Sequence, residues 1–313
     1  MNPNQEKYKA VQYDHFGHAD ILHIVELPKA TANKGEVLVK VKAAGINPGE
    51  SSIREGFLAK QFPSTFPSGQ GTDFAGVVES VGDDVTNFKA GDEVIGFSNN
   101  RNSQAEYVMV KTDQLIIKPS KVSWEQAGGL FVAGTTAYAA VRAVGLKEGD
   151  TVIISGAAGG VGSLAVQIAK RQGAKVIGIV STHNFEWLKK HGIAPVSYDG
   201  NVEENLETAL NGSKPDAFID LSGKGYVELA IKLGISVDKI NTIIDFAAVE
   251  KYKIKAEGSA AASTAKVLGE LAQMINDGEL ELPIAKTYPL SQVKEAYIDL
   301  EKRHTHGKIV LIP

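Results

Sequence analysis

The strongest chemical signal in this chain is the run Ser155-Gly156-Ala157-Ala158-Gly159-Gly160-Val161-Gly162. Thr151-Val152-Ile153-Ile154 stand before it as a short apolar, β-branched run that predicts a buried strand. Leu164, Ala165, Ile168 and Ala169 follow it with the spacing of one helical face. Strand, glycine turn and helix in that order let the backbone approach a pyrophosphate, while the amides and dipole of the helix's first turn attract the anion. A plain strand-to-helix turn also uses glycine, and it is the flanking elements that favour the dinucleotide reading. Set against G-x-G-x-x-G, the first glycine is replaced by Ala157, with Gly156 one place earlier; Gly159, which admits the phosphate, and Gly162 are kept. The amides of Ala158, Gly159, Gly160 and Val161 are those expected at the pyrophosphate.

The other end of the cofactor would meet the next strand, Lys175 to Val180, which runs into Ser181-Thr182. An acidic residue about 20 positions past the glycines would hold an unmodified ribose 2′-hydroxyl. Instead Ser181, Thr182, His183 and Asn184 stand there; all can donate hydrogen bonds and none repels a phosphate, which favours NADP(H) over NAD(H). No lysine or arginine joins them before Lys189.

Metal chemistry is restricted by composition. The chain has no cysteine, so disulfides and any thiolate-held zinc or iron–sulfur site are excluded. None of its 7 histidines forms a helical i, i+4 pair beside a glutamate, and His304 and His306 lie in the polar run EKRHTHGK, which reads as solvated surface. No metal site is expected.

The 313 residues suit two domains, and a hydrophobic content of 43% suits an ordinary globular core. A net charge of −4, from 33 basic and 37 acidic residues, argues against general affinity for nucleic acid or an anionic membrane. The opening MNPNQEKYKAVQYD is polar, and no run approaches bilayer-spanning length, so the expected location is the cytoplasm.

From Lys7 to about Pro119 the rhythm is short strands and turns: AVQYD, EVLVKVKAAG, DFAGVVESVG, DEVIGF and AEYVMV, with one helical segment between Pro48 and Leu58. This predicts a small barrel or a pair of packed sheets. From Ser123, an N-cap with Gln126 as its capping-box partner, strands alternate with helices. A single helix is expected over SWEQAGGLFVAGTTAYAAVRAVG, then strands at 175–180, about 195–198, 216–221 and 240–246. Such alternation predicts a doubly wound parallel sheet covered by helices. Two further helices, near 263–275 and 291–301, and a strand from Lys308 close the chain. AEGSAAASTA reads as a domain crossover or a helix start.

The order of these parts resembles the medium-chain dehydrogenase/reductase superfamily, and within it the zinc-independent NADPH:quinone oxidoreductases related to zeta-crystallin. Besides AAGGVG, the resemblance rests on AAGINPGESSIREG (43–56), GTDFAGVVESVG (71–82), KAGDEVIGF (89–97), EQAGGLFVAGTTAY (125–138) and the terminal HTHGKIVL. It implies an α/β fold: a GroES-like barrel domain over 1–122, a Rossmann-type domain over 123–259, and a segment over 260–313 that returns to the first, with the substrate cleft between domains. Where zinc-using relatives carry a cysteine and a histidine, this chain has Asn47-Pro48 and Thr72. Without a Lewis acid the substrate must itself accept hydride well, as quinones and activated enones do by spreading the charge onto an oxygen.

The resemblance also implies roles. Asn47 would face the nicotinamide ribose and the substrate, or else be a buried turn asparagine. Ser52 stands where some relatives carry a tyrosine that closes the substrate site. Thr136 would contact the carboxamide or simply pack within its helix. Ser181, Thr182 and Tyr198 would surround the 2′-phosphate, with Asn184 in place of a common lysine. Ile243, Ile244 and Asp245 would pass the nicotinamide through their backbone. Tyr138 and Lys308 are either proton sources or phosphate neighbours, or structural. Relatives pair as homodimers through the sheet edge, for which KYKIK at 251–255 is the expected segment. Two other readings stay open: an enoyl-thioester reductase, and an NADPH-binding regulatory or structural protein without turnover.

Overall fold

The computed structural model describes residues 6–313. The chain opens with β1 (Lys7–Tyr13), β2 (His23–Pro28), β3 (Glu36–Gly45), α1 (Pro48–Arg54), β4 (Ser68–Gly69), β5 (Asp73–Val81), β6 (Glu93–Phe97), β7 (Tyr107–Lys111), β8 (Leu115–Ile117) and α2 (Trp124–Gly128). It continues through α3 (Phe131–Val144), β9 (Thr151–Ser155), α4 (Gly160–Arg171), β10 (Lys175–Val180), α5 (Phe185–Lys190), β11 (Ala194–Ser197), α6 (Val202–Leu210), β12 (Ala217–Asp220), α7 (Tyr226–Lys232), β13 (Ile240–Thr242) and α8 (Phe246–Tyr252). It closes with α9 (Ala265–Asn276), β14 (Ile284–Pro289), α10 (Val293–Glu301) and β15 (Lys308–Ile312). These form two compact units. One takes the residues up to Val132 with Thr264–Glu279 and Ile284–Pro313; the other takes Ala133–Ser263 and Leu280–Pro283.

In the first unit β3 is the organising strand. Its period of two puts Val37, Val39 and Val41 into a core with Phe74, Val78, Val94 and Val108, while Lys40 and Lys42 stay in water. It pairs antiparallel with β5, β7 and, at Gly45 and Ala44, with β15 from the far end of the chain. A second core joins Val11, Tyr13, Leu22 and Ile46 to Tyr297, Ile309 and Leu311. The C-terminal segment therefore completes the unit that the N-terminal half begins.

The single helix expected from Ser123 is two helices. Ser123 caps α2 as predicted, its Oγ accepting from the Gln126 amide at 3.2 Å, but the chain breaks at Gly129-Leu130 before α3. Tight packing on β3 explains the glycines at the break, because a Cβ on Gly128 would lie 2.6 Å from the Ala43 carbonyl oxygen.

The second unit is built on one parallel sheet in the order β11-β10-β9-β12-β13. Connections leave β9 in opposite directions, so the switch point where α/β sheets bind ligands lies between β9 and β12. The strand expected over 240–246 stops at Thr242, whose Oγ1 accepts from the amides of Ile244 and Asp245 and turns the chain into α8. KYKIK is not an edge strand: Lys251 and Tyr252 end α8, Lys253 is left-handed at φ 57°, and Lys255 alone forms a parallel bridge, to Asn241. The Asp245 cap on the Ala248 amide commits this stretch to helix. β2, β4, β8, α6 and β14 have no signal in the pattern above; β4 and β8 are two and three residues long, and α6 buries only Leu206 and Leu210.

Candidate functional site

The glycine turn of the second unit has the form a pyrophosphate requires. Gly156 is left-handed, at φ +62°, and its carbonyl accepts the Gly159 amide at 3.0 Å. A Cβ on Gly162 would lie 2.0 Å from that same carbonyl, so only glycine lets α4 begin this close to the turn. The Gly159 amide is thereby used inside the turn. Those of Gly160 and Val161 open a 12-residue helix, where no carbonyl of an earlier turn faces them. Ala158 lies in the same turn, just before them.

Beneath it lies a residue that the sequence reasoning passed over. Asp220, fully buried at the end of β12, accepts from Ser155 Oγ (2.7 Å), the amides of Ser222 (3.1 Å) and Gly223 (2.9 Å), and Thr242 Oγ1 (2.9 Å). Ser155 ends β9 and Thr242 ends β13, so one carboxylate ties three adjacent strand ends at the switch point. Its only signal in the sequence is an acid closing the apolar run of DAFIDL. Ile243 donates its amide to the Asp220 carbonyl (3.1 Å), and Asp245 spends its carboxylate on capping α8. Segment 243–245 is held through its backbone.

At the end of β10, Asn184 Nδ2 donates to Ser181 Oγ at 3.2 Å, and Thr182 lies in the intervening turn. The Tyr198 amide reaches the Val180 carbonyl at 3.3 Å, and its side chain is exposed. The structure thus gathers Ser181, Thr182, Asn184 and Tyr198. Thr136 is buried within α3, and Tyr138 on the same helix has the Arg142 guanidinium 6.0 Å from its ring centre.

The first unit holds a buried charged cluster at the start of α1. Glu50 accepts from the Asn47 amide (3.0 Å), the Thr72 amide (3.0 Å) and the Tyr297 hydroxyl (2.7 Å). Asn47 Nδ2 donates to both Glu50 Oε1 (3.3 Å) and Asp73 Oδ2 (3.2 Å), while its Oδ1 accepts from Lys308 Nζ. Both ends of the Asn47 amide are occupied, so the side chain braces the turn. Lys308 lies 3.7 Å from Asp73, is buried rather than solvated, and belongs to the first unit. Ser52 is half-buried on α1 and makes no side-chain hydrogen bond among the described residues.

Burial dominates the titration of this cluster. It pushes the Glu50 carboxyl up, with the Asp73 charge adding to the effect, and pushes Asp73 up against the pull of Lys308. The same desolvation lowers the Lys308 ammonium and lifts the Tyr297 phenol well above its ordinary range.

Residues 33–121 match the family described as alcohol dehydrogenase GroES-like domain, and residues 197–311 the one described as zinc-binding dehydrogenase. A chloroplastic quinone oxidoreductase of Triphysaria versicolor is 31% identical over 97% of this chain and 98% of its own length. Quinone oxidoreductase 1 of Escherichia coli is 29% identical over 97% and 99%. Among solved structures, the quinone oxidoreductase of Coxiella burnetii superposes with a TM-score of 0.87 at 34% identity, covering 98% of this chain and 100% of that one. The Escherichia coli quinone oxidoreductase complexed with NADPH gives 0.82 at 27% identity, covering 97% and 100%. The residues here do not fit the zinc that the second family description names. No cysteine exists, and among the described residues no three histidine, aspartate or glutamate side chains are grouped to hold a metal.

Proposed function

Because the chain belongs to the quinone oxidoreductase family of the medium-chain dehydrogenase/reductases, we propose that it reduces a quinone or an activated enone with NADPH, without zinc. The observation that carries this is the glycine turn closed on Gly156, with the Ser181–Asn184 pair at the neighbouring strand end. Bound dihydronicotinamide supplies a hydride, and a proton from water completes the hydroquinone or the saturated ketone.

The chain's own contribution is alignment. Ala158, Gly160 and Val161 offer amides to the pyrophosphate, and Ser181, Thr182, Asn184 and Tyr198 offer hydroxyl and amide donors to the 2′-phosphate. Segment 243–245 and Thr136 position the nicotinamide end, and Asp220 keeps these loops in register. Asn47 acts through the turn it braces, and Ser52 is the polar side chain of α1 offered to the acceptor. The reading includes a homodimer paired at the sheet edge beside β13, and a cytoplasmic location.

The test follows NADPH absorbance at 340 nm, the cofactor's known band, with quinones, enones and enoyl thioesters. Oxidation with quinones or enones is expected. A flat trace with every acceptor, despite NADPH binding, would leave a binding protein without turnover.

A further inference from the structure

The first unit carries an exposed aromatic rim outside the buried cluster of Asn47, Glu50, Asp73 and Lys308. Phe57 is 78% exposed, Phe62 46%, Phe16 40% and Phe66 38%. The Phe16 and Phe66 rings meet edge to face at 5.0 Å, and Phe66 packs on Tyr13 at 5.8 Å. Phe16 lies close against the backbone of Gly56, where a Cβ would be 3.2 Å from the ring.

The rim is held in place. Arg101 donates to the carbonyls of Pro63 (2.6 Å) and Phe62 (3.3 Å). At its other end the Leu58 amide donates to the Ser52 carbonyl at 3.3 Å, folding the turn that carries Phe57 back onto α1. Behind it Tyr13, Arg101, Gln70 and Glu50 line a cavity of about 10 Å³. The turn that carries Phe57 is thus tied directly to the helix that carries Ser52.

Fixed, exposed aromatic patches mark contact sites. At roughly 200 Å² per phenylalanine, the exposed fractions amount to about 400 Å². That is half of the ~800 Å² per partner that a stable protein interface buries. The stretch from Glu55 to Phe66 carries one acid and one base, Glu55 and Lys60, and so lacks the cationic excess an anionic membrane surface attracts. A single apolar chain matches both the area and the charge.

We propose that this rim seats an alkyl or isoprenoid side chain carried by the quinone acceptor, with the quinone ring toward Ser52. The inference rests on the reductase reading. It is tested with two benzoquinones sharing one ring substitution, one bearing a methyl group and the other a decyl chain, at concentrations below micelle formation.

The decyl quinone is expected to show a kcat/KM at least about tenfold higher, through KM, since each covered methylene contributes. In a Phe57→Ala/Phe62→Ala variant with an unchanged melting temperature, that ratio falls below about threefold. A ratio near one in the wild type, or one that the variant keeps, overturns the seat. So does a wild-type dimer that the variant dissociates, or sedimentation of the protein with phosphatidylcholine vesicles that the variant abolishes.

If NADPH is consumed with neither quinone, the quinone arm of the reductase reading falls, and titration calorimetry with the decyl quinone then decides the seat. Binding that the variant loses supports it, and equal binding by both proteins overturns it.

Discussion

Lys308 donates to the side-chain oxygen of Asn47 and to the carbonyl of Ile46 (2.8 Å), across 261 residues of chain in the first case. The closing strand β15 is thereby fastened to the turn that starts α1, and Asp73 balances the charge at 3.7 Å. Removing one partner of a buried pair leaves the other charge uncompensated. Lys308→Met is therefore expected to cost about 3–5 kcal/mol. Urea denaturation would show it as a lower midpoint at unchanged slope; a loss under about 1 kcal/mol would mean that the ammonium does not hold the turn.

The raised Glu50 carboxyl gives a pH dependence with a definite sign. Folded, Glu50 keeps its proton to higher pH than in the unfolded chain, so between the two pKa values the native state binds more protons. Its contribution to stability is full below the unfolded value near 4.5 and is lost as pH rises through the folded one. The stability difference between wild type and Glu50→Gln should fall as pH rises from near 4.5 to the folded value, by at most ~1.4 kcal/mol per pH unit, and level off above it. A difference that grows with pH would mean that the donors around Glu50 outweigh its burial.

Gly162→Ala places a methyl where the Gly156 carbonyl stands. The turn must open or α4 must shift, at about 1–3 kcal/mol. NADPH affinity, read by fluorescence titration, should weaken at least tenfold, or ~1.4 kcal/mol. Unchanged affinity would remove this turn from the cofactor site.

Asn184→Lys adds a cation beside Ser181 at the end of β10. It is expected to tighten NADPH roughly five- to tenfold while moving NADH less than about twofold. An equal effect on both nucleotides would place the 2′-phosphate elsewhere.

Much of this was legible along the chain because it is written in short-range pattern. The alternation of Val37, Val39 and Val41, the Ser123–Gln126 cap and the glycines of 156–162 each constrain backbone within a few residues, and the structure forms a strand, a cap and a turn there. The break at Gly129-Leu130 and the helical fate of Lys251 and Tyr252 were not legible. A glycine pressed on β3 decides the first and the Asp245 cap the second, and alternation alone cannot weigh either.

The sequence by itself determined the chemistry on offer: amides at a glycine turn, hydroxyl and amide donors at 181–184, and no thiolate for a metal. Only the tertiary structure decided how those groups are held. Asn47 is turned inward because Lys308, 261 residues away, and Asp73, 26 away, converge on its amide; Asp220 becomes the tie of three strands because a parallel sheet brings Ser155 and Thr242 to it. Orientation of a buried polar group depends on which partners share its low-dielectric surroundings, and chain folding alone brings those partners together.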